Sequence, residues 1–236
     1  MTPTPENDPL IVALDVESAA EADALVAMLG GSASFYKVGM ELYAAAGMDY
    51  VRSLVGRGKQ VFLDLKYYDI GETVRRAVAV AAKSGASFLT VHAVGQVMRA
   101  AVEGRGDSNL ELLAVTVLTS FDQTDLEELG YDCTVSDLAA KRVRQAMAAG
   151  IDGVVASPLE ALAIRRIAGP EALIVTPGVR SAGASKGDQK RVATPAEAIR
   201  DGADYLVIGR QVTRAADPVR AIAAIRAELA ELPESA

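Results

Sequence analysis

Cysteine, histidine and tryptophan are almost missing from this chain of 236 residues, which has one cysteine, one histidine and no tryptophan. Cys133 has no partner for an internal disulfide, so we expect a reducing compartment and a cytoplasmic protein. One cysteine and one histidine also make a zinc site built from Cys and His ligands a poor hypothesis. We expect Cys133 to be inert and His92 to be a packed residue rather than a catalyst.

Long apolar runs and an excess of positive charge are missing as well. No stretch of 18 or more apolar residues occurs, so the sequence predicts no membrane span. The opening MTPTPENDPL has neither a basic nor an apolar segment, so we expect no signal peptide and interpret residues 1–9 as a flexible lead-in. The net charge of −7 argues against nucleic acid as a partner, although a small basic pocket for an anion remains compatible with it.

What the sequence does contain is an alternation of eight β-rich runs with alanine-rich segments of helical period, which predicts parallel βα units. The runs are LIVALDV (10–16), SFYKVGM (34–40), QVFLDLK (60–66), SFLTVHAV (87–94), ELLAVTVLTS (111–120), DGVVAS (152–157), ALIVTPGV (172–179) and DYLVIGR (204–210). Eight units in this length predict one TIM (β/α)8 barrel domain over residues 1–236. A doubly wound open sheet is the alternative, but no G-x-G-x-x-G follows the first run.

The third run, within VFLDLKYYDI (61–70), carries charges where a buried strand is usually apolar. Side chains alternate along a strand, so Val61, Leu63 and Leu65 are predicted to face the outer helices. Asp64 and Lys66 then point into the barrel, near the C-terminal mouth where active sites of this fold lie.

Two neighbouring runs place charges at the same mouth. Lys37 lies near the end of the second run and Asp15 near the end of the first, so four charges are predicted to converge with Asp64 and Lys66. A self-neutralising salt-bridge network is the alternative, but apolar packing often replaces such a network without loss of stability. We therefore interpret the charges as catalytic; Asp69 follows on the loop that begins the next helix.

The other end of the predicted site is basic. The connection after the seventh run, roughly 179–193, is long and rich in glycine, which suggests a lid. In the eighth run Gly209 lets a backbone approach a ligand, and Arg210 offers a bidentate fork to a phosphate, although a plain surface arginine is the alternative. Arg180 and Gln189 could reach the same anion.

Together these motifs make the sequence resemble the orotidine 5'-monophosphate decarboxylase family over nearly its whole length. The matching motifs are ALD (13–15), YKVG (36–39), D-L-K-x-x-D-I (64–70), TVHA (90–93), VTVLTS (115–120), TPGVR (176–180), GDQ-x-R (187–191) and IGR (208–210). The resemblance implies conversion of orotidine 5'-monophosphate to uridine 5'-monophosphate and CO2, the last step of de novo pyrimidine synthesis. It also implies that the reaction needs neither a cofactor nor a metal.

The resemblance assigns roles to the charged residues at the mouth. Lys66 would donate the proton to C6 after CO2 leaves, and Asp64 would face the substrate carboxylate. Lys37 would bridge Asp64 and the ribose, and Asp15 would bind a ribose hydroxyl. Thr119 would contact the pyrimidine, with the adjacent Ser120 (in LTS) as an alternative.

The resemblance further implies a 5'-phosphate site made of Arg180, Gln189, Gly209 and Arg210. Asp69, Ile70 and Thr73 would enter the site of a neighbouring subunit, which implies a homodimer with shared active sites. One departure is visible, since the family commonly has Pro-Asn where this chain has Gly-Glu at 71–72.

Three other functions fit part of the pattern. Sugar-phosphate decarboxylases and hexulose-phosphate synthases share a similar Asp-x-Lys-x-x-Asp but use Mg²⁺. A Schiff-base aldolase would use Lys66 as its nucleophile. A sensor that only binds a phosphorylated ligand is a non-enzymatic alternative, although no appended interaction domain is evident.

Overall fold

The computed structural model describes residues 8–181 and 191–232, and its centre is a closed barrel of eight parallel strands in sequence order. The strands are β1 Leu10–Ala13, β2 Phe35–Gly39, β3 Gln60–Tyr67, β4 Phe88–His92, β5 Glu111–Val115, β6 Gly153–Val155, β7 Leu173–Thr176 and β8 Tyr205–Ile208. Leu10–Val12 of β1 pair with Leu206–Ile208 of β8 and close the ring. The TIM barrel prediction is confirmed, and the open doubly wound sheet is excluded.

Helices follow the strands and cover the outside of the barrel. They are α1 Ala19–Leu29, α2 Met40–Gly56, α3 Gly71–Ala82, α4 Gly95–Arg105, α5 Gln123–Glu128, α6 Val135–Ala148, α7 Ala161–Ala168, α8 Pro195–Arg200, α9 Arg210–Thr213 and α10 Pro218–Ala230. Several begin at a side-chain cap, as at Asp217, whose carboxylate accepts from the Arg220 N–H at 3.0 Å. In the described ranges, no helix is both long enough and apolar enough to cross a membrane.

Side chains of the strands divide between two apolar layers, as the alternation predicted. Val61 and Leu63 belong to the outer layer between strands and helices, and Leu65 packs against it. Phe62 belongs to the inner cluster, where its ring lies edge-on to Phe88 at 5.9 Å between centroids. The inner cluster fills the barrel below the C-terminal ends of the strands.

The fifth predicted strand is too long by five residues. β5 ends at Val115, because the chain beyond it turns its carbonyls toward arginine side chains instead of pairing on as a strand. Arg142 donates to the Thr116 carbonyl, and Arg191 donates to the carbonyls of Val117 and Leu118 at 3.3 and 3.1 Å. Residues 116–120 are therefore a loop at the mouth of the barrel.

The predicted lead-in, residues 1–9, falls mostly outside the described residues. Its last two residues contact the barrel: the Asp8 carboxylate pairs with Arg226 at 2.5 Å. The Leu206 N–H of β8 donates to the Pro9 carbonyl at 2.8 Å. These contacts hold the chain in place just before β1.

Candidate active site

A cavity of about 460 Å³ opens at the C-terminal ends of the strands. Its floor is the top of the inner apolar cluster, including Ala13, Val115 and Val207. The charged side chains in its wall are Asp15, Lys37, Glu41, Asp64, Lys66, Arg180, Arg210 and Arg214. Five of these eight are cations, so the cavity is basic within a protein of net charge −7 and suits an anionic ligand.

Four of the predicted residues form a chain of alternating charge across the cavity. The Lys37 ammonium lies 2.7 Å from Asp15 Oδ1 and 3.8 Å from Asp64 Oδ2. The Lys66 ammonium lies 2.8 Å from Asp64 Oδ1. Asp64 thus has an ammonium on each side, and the side-chain alternation of β3 is what brings both Asp64 and Lys66 inward.

The pKa of Asp64 is set by a balance of burial and charge. Burial raises the pKa of this carboxyl, but the ammoniums of Lys37 and Lys66 and hydrogen bonds from Lys66 and Thr90 lower it more. The net shift is downward, so Asp64 is a carboxylate at neutral pH.

Lys66 has an unusual backbone. Its φ of 49° is the only positive φ of a non-glycine residue in the described ranges. The register between β3 and β4 shifts between Leu63 and Tyr67, so the strand is irregular where Lys66 lies. The Lys66 N–H donates to Thr90 Oγ1 at 2.9 Å, and Thr90 Oγ1 lies 3.0 Å from Asp64 Oδ1.

Gly39 makes room for the ion pairs. A Cβ at this position would lie 3.0 Å from Lys37 Nζ and 3.2 Å from Asp15 Oδ1. A side chain here would therefore crowd the Lys37 ammonium and the Asp15 carboxylate and force them to shift. This glycine is the last residue of the YKVG motif. The need for a glycine here becomes visible only when β1 and β2 lie side by side, because the crowded atoms come from both strands.

The predicted phosphate end is a cluster of arginines. Burial and the neighbouring Arg210 both lower the pKa of Arg180, so the two guanidiniums share one region of the cavity. Arg214, which the sequence analysis overlooked, lies one helical turn beyond Arg210 and lines the same cavity. Gly209 also lines it, whereas Gln189 lies outside the described residues.

A loop after β5 forms another wall. Thr119 is buried, Ser120 is partly buried, and both line the cavity. The backbone just before them is held by Arg191, which also pairs with Glu160. The sequence contains Arg191 within the GDQ-x-R motif but does not predict these contacts, because its partners are 31 and more residues away along the chain.

Asp69, Ile70 and Thr73 do not join the cavity of their own chain. All three side chains are exposed at the junction of β3 and α3, and Ile70 is 69% exposed. The Asp69 carboxylate accepts a hydrogen bond from the N–H of its neighbour Ile70 at 2.6 Å. They are thus available to another molecule.

His92 is half-buried beside the cavity rather than in its lining. Its ring packs against Tyr68 with 5.2 Å between centroids. Burial lowers the pKa of His92, with smaller contributions from Arg142 and Lys66. Within residues 8–181 and 191–232, no group of three or more His, Cys, Asp or Glu side chains is arranged to hold a metal ion.

Comparison with known proteins finds one family over nearly the whole chain. The model of the orotidine 5'-phosphate decarboxylase / HUMPS family matches residues 8–225. An orotidine 5'-phosphate decarboxylase of Rhodopseudomonas palustris is 56% identical over 226 residues, covering 96% of this chain and 95% of that protein. One of Afipia carboxidovorans is 55% identical, covering 97% of each.

A solved structure agrees with these sequences. The crystal structure of orotidine 5'-phosphate decarboxylase from Lactobacillus acidophilus superposes with a TM-score of 0.82 at 36% identity. The match covers 94% of this chain and 98% of that one. Similarity therefore extends from the motifs to the whole barrel.

Proposed function

The chain belongs to the orotidine 5'-phosphate decarboxylase / HUMPS family, and from this premise we propose that it is a carboxy-lyase acting on orotidine 5'-monophosphate. The products are uridine 5'-monophosphate and CO2, in pyrimidine nucleotide synthesis. The observation that carries the proposal is the Asp15–Lys37–Asp64–Lys66 chain of ion pairs facing an arginine cluster across one cavity. We infer a cytoplasmic location, which one cysteine in 236 residues also favours.

The two ends of the cavity suggest the orientation of the nucleotide. The 5'-phosphate binds to Arg180 and Arg210, close to the backbone of Gly209, and Gln189 adds a hydrogen bond by family resemblance. Charge-assisted forks of this kind are strong and directional. Phosphate binding far from the reacting carbon can supply energy for ordering the site around the base.

The remaining groups contact the ribose and the base. Asp15 and Lys37 bind ribose hydroxyls. They belong to the ends of β1 and β2, which lie between β8, followed by Arg210, and β3, which holds Asp64. Thr119 or Ser120 contacts the pyrimidine from the loop after β5. This arrangement directs C6 and its carboxylate toward Asp64 and Lys66.

The chemistry follows from the charges. The C6–CO2 bond breaks, and its electron pair stays on C6, where the ring delocalises it poorly. The fixed Lys66 ammonium stabilises this developing charge, then gives its proton to C6 to form the C6–H bond. Lys66 is left neutral and regains a proton from solvent when the product departs.

Asp64 has two effects on this reaction. Its carboxylate holds the Lys66 ammonium at 2.8 Å, so the proton donor is in position before the substrate arrives. It also faces the substrate carboxylate, and the repulsion between the two is relieved when CO2 leaves.

We also propose a homodimer with shared sites. Asp69, Ile70 and Thr73 are exposed at the edge of the mouth, and Tyr68 with Ile70 forms an apolar patch there at 67% and 69% exposure. Such a patch suits an isologous contact in which each chain completes the site of the other.

The Mg²⁺-dependent sugar-phosphate enzymes are the alternative within this fold. Against that alternative, both Asp15 and Asp64 are bridged by the Lys37 ammonium. A metal ion would have to displace this cation to reach the two carboxylates.

One assay tests the proposal directly. Protein freed of metals with EDTA is mixed with orotidine 5'-monophosphate, and the loss of its absorbance is followed with time. We expect full activity that added Mg²⁺ does not raise. Activity that requires Mg²⁺, or appears only with a sugar phosphate, would refute the proposal.

A further inference from the structure

Thr90, in β4, occupies a position that repeats on three neighbouring strands. In each strand an inward phenylalanine is followed two residues later by a polar side chain: Phe35 by Lys37, Phe62 by Asp64, and Phe88 by Thr90. Lys37 and Asp64 line the cavity, whereas Thr90 is fully buried behind them. Thr90 is thus the third inward polar residue of this layer.

The Thr90 hydroxyl makes two different bonds to the charged strand. It accepts from the Lys66 backbone N–H at 2.9 Å. Its single proton has two acceptors in reach, Asp64 Oδ1 at 3.0 Å and the Leu63 carbonyl at 3.4 Å. The carboxylate is both nearer and charged, so the proton goes to Asp64 Oδ1.

The first bond supports a strained backbone. A non-glycine residue with φ of 49° lies in a sparsely populated, strained region, so its surroundings must hold it there. The bulge takes the Lys66 N–H out of the regular β3–β4 ladder, and the Thr90 oxygen supplies its acceptor.

The second bond orients the partner of the Lys66 ammonium. Asp64 Oδ1 receives both the Thr90 hydroxyl and the Lys66 Nζ, the latter at 2.8 Å. One hydroxyl therefore fixes the two ends of the Lys66 side chain, its backbone through the N–H and its ammonium through Asp64.

We propose that Thr90 is a positioning residue for the decarboxylation, holding the Lys66 ammonium and the Asp64 carboxylate at the reacting carbon without touching the substrate itself. The inference rests on the proposed function. In this proposal the hydroxyl of Thr90, rather than the volume of its side chain, holds Lys66 and Asp64 in position.

Three variants and the wild type test this role. Thr90→Val removes the hydroxyl at nearly constant volume, and Thr90→Ser keeps it. Thr116→Val is the matched control, because Thr116 is also buried and its hydroxyl donates to the Val155 carbonyl at 3.1 Å, outside the charge chain. For each protein, kcat is measured on orotidine 5'-monophosphate and the Kd of uridine 5'-monophosphate by calorimetry.

We expect Thr90→Val to lower kcat by roughly tenfold to a hundredfold, since small misplacements of reacting groups have effects of this size. Its Kd for the product should stay within about threefold, because the phosphate and base contacts remain. Thr90→Ser and Thr116→Val should keep kcat within about threefold of the wild type.

The inference is overturned if Thr90→Val keeps its kcat, if it loses kcat and product affinity together, or if Thr116→Val loses as much. A wild type that does not decarboxylate would instead refute the proposed function. If Thr90→Val does not fold, Thr90→Cys replaces it, as a weaker hydrogen-bonding group of similar size. Equal kcat for the Cys and Ser variants would then overturn the inference.

Discussion

At the scale of single residues, positive and negative charges are paired in one part of the cavity and not balanced in another. The ammonium and carboxylate groups near β3 pair with each other, whereas Arg180 and Arg210 lie close together at the opposite end. Two adjacent guanidiniums repel each other until an anion comes between them. The arginine end is therefore where removing one residue should affect binding most.

Arg210→Ala should weaken binding of uridine 5'-monophosphate by about 1.5–3 kcal/mol, as expected for the loss of charge-assisted hydrogen bonds. It should hardly change the slow turnover of orotidine, which has no phosphate. Calorimetry measures the binding of uridine 5'-monophosphate, and turnover is measured with orotidine 5'-monophosphate and with orotidine. Arg52→Ala is the control, because Arg52 is exposed and pairs with the exposed Asp49 on the surface of α2. Equal damage to both substrates would mean that Arg210 does not bind phosphate.

Sequence patterns predict where the charged side chains of the cavity lie, but not the residues that support them. Strand alternation alone places Asp64 and Lys66 inside the barrel, and parallel strands bring Lys37 and Asp15 beside them. Thr90 was not predicted, because an uncharged inward threonine looks like an ordinary strand residue. Its signal was the position two residues after Phe88, which matches Lys37 after Phe35.

At the scale of elements, every strand begins within one residue of the start of its apolar run, and every strand except β3 ends sooner than its run. β5 ends at Val115 although the run continues to 120, and β8 ends at Ile208 although its run continues to 210. Val117, Leu118, Thr119 and Ser120 after β5, and Gly209 and Arg210 after β8, line the cavity instead of continuing the strands. An apolar run indicates that a segment is buried, but it does not indicate where the strand ends. The contacts that end a strand come from residues such as Arg191, which are distant in sequence.

The Glu160–Arg191 pair joins several elements, since it connects the turn after β6 to the loop after β5. Both side chains are largely buried, so Glu160→Ala leaves a guanidinium without its carboxylate. We expect it to lower the free energy of unfolding by about 3–5 kcal/mol. Urea denaturation measures the change. Glu72→Ala, which removes an exposed carboxylate paired with Arg75 and Arg76, should change stability little. Similar losses in both variants would contradict this account of the pair.

At the scale of the whole molecule, the central question is which chain completes which site. Asp69 lies outside the cavity lining of its own chain, and only three residues along the chain from Lys66. If sites are shared, a dimer of one Lys66→Ala chain and one Asp69→Ala chain has one site with both lesions and one with neither.

Mixing the two inactive variants tests this arrangement. Random exchange gives about half heterodimers, each with one intact site, so about a quarter of all sites should regain activity. Subunit exchange is first verified by native mass spectrometry with one variant isotopically labelled. Exchange without recovered activity would assign Asp69 to its own subunit.

The most direct test of the account is the fate of the proton at C6. Wild-type protein and Lys66→Ala are each given orotidine 5'-monophosphate in D2O, and the product is examined by mass spectrometry and NMR. The account predicts that the wild type gives uridine 5'-monophosphate with a single deuterium at C6, and that Lys66→Ala binds the nucleotide but forms almost no product. Decarboxylation by Lys66→Ala within about tenfold of the wild-type rate would contradict it.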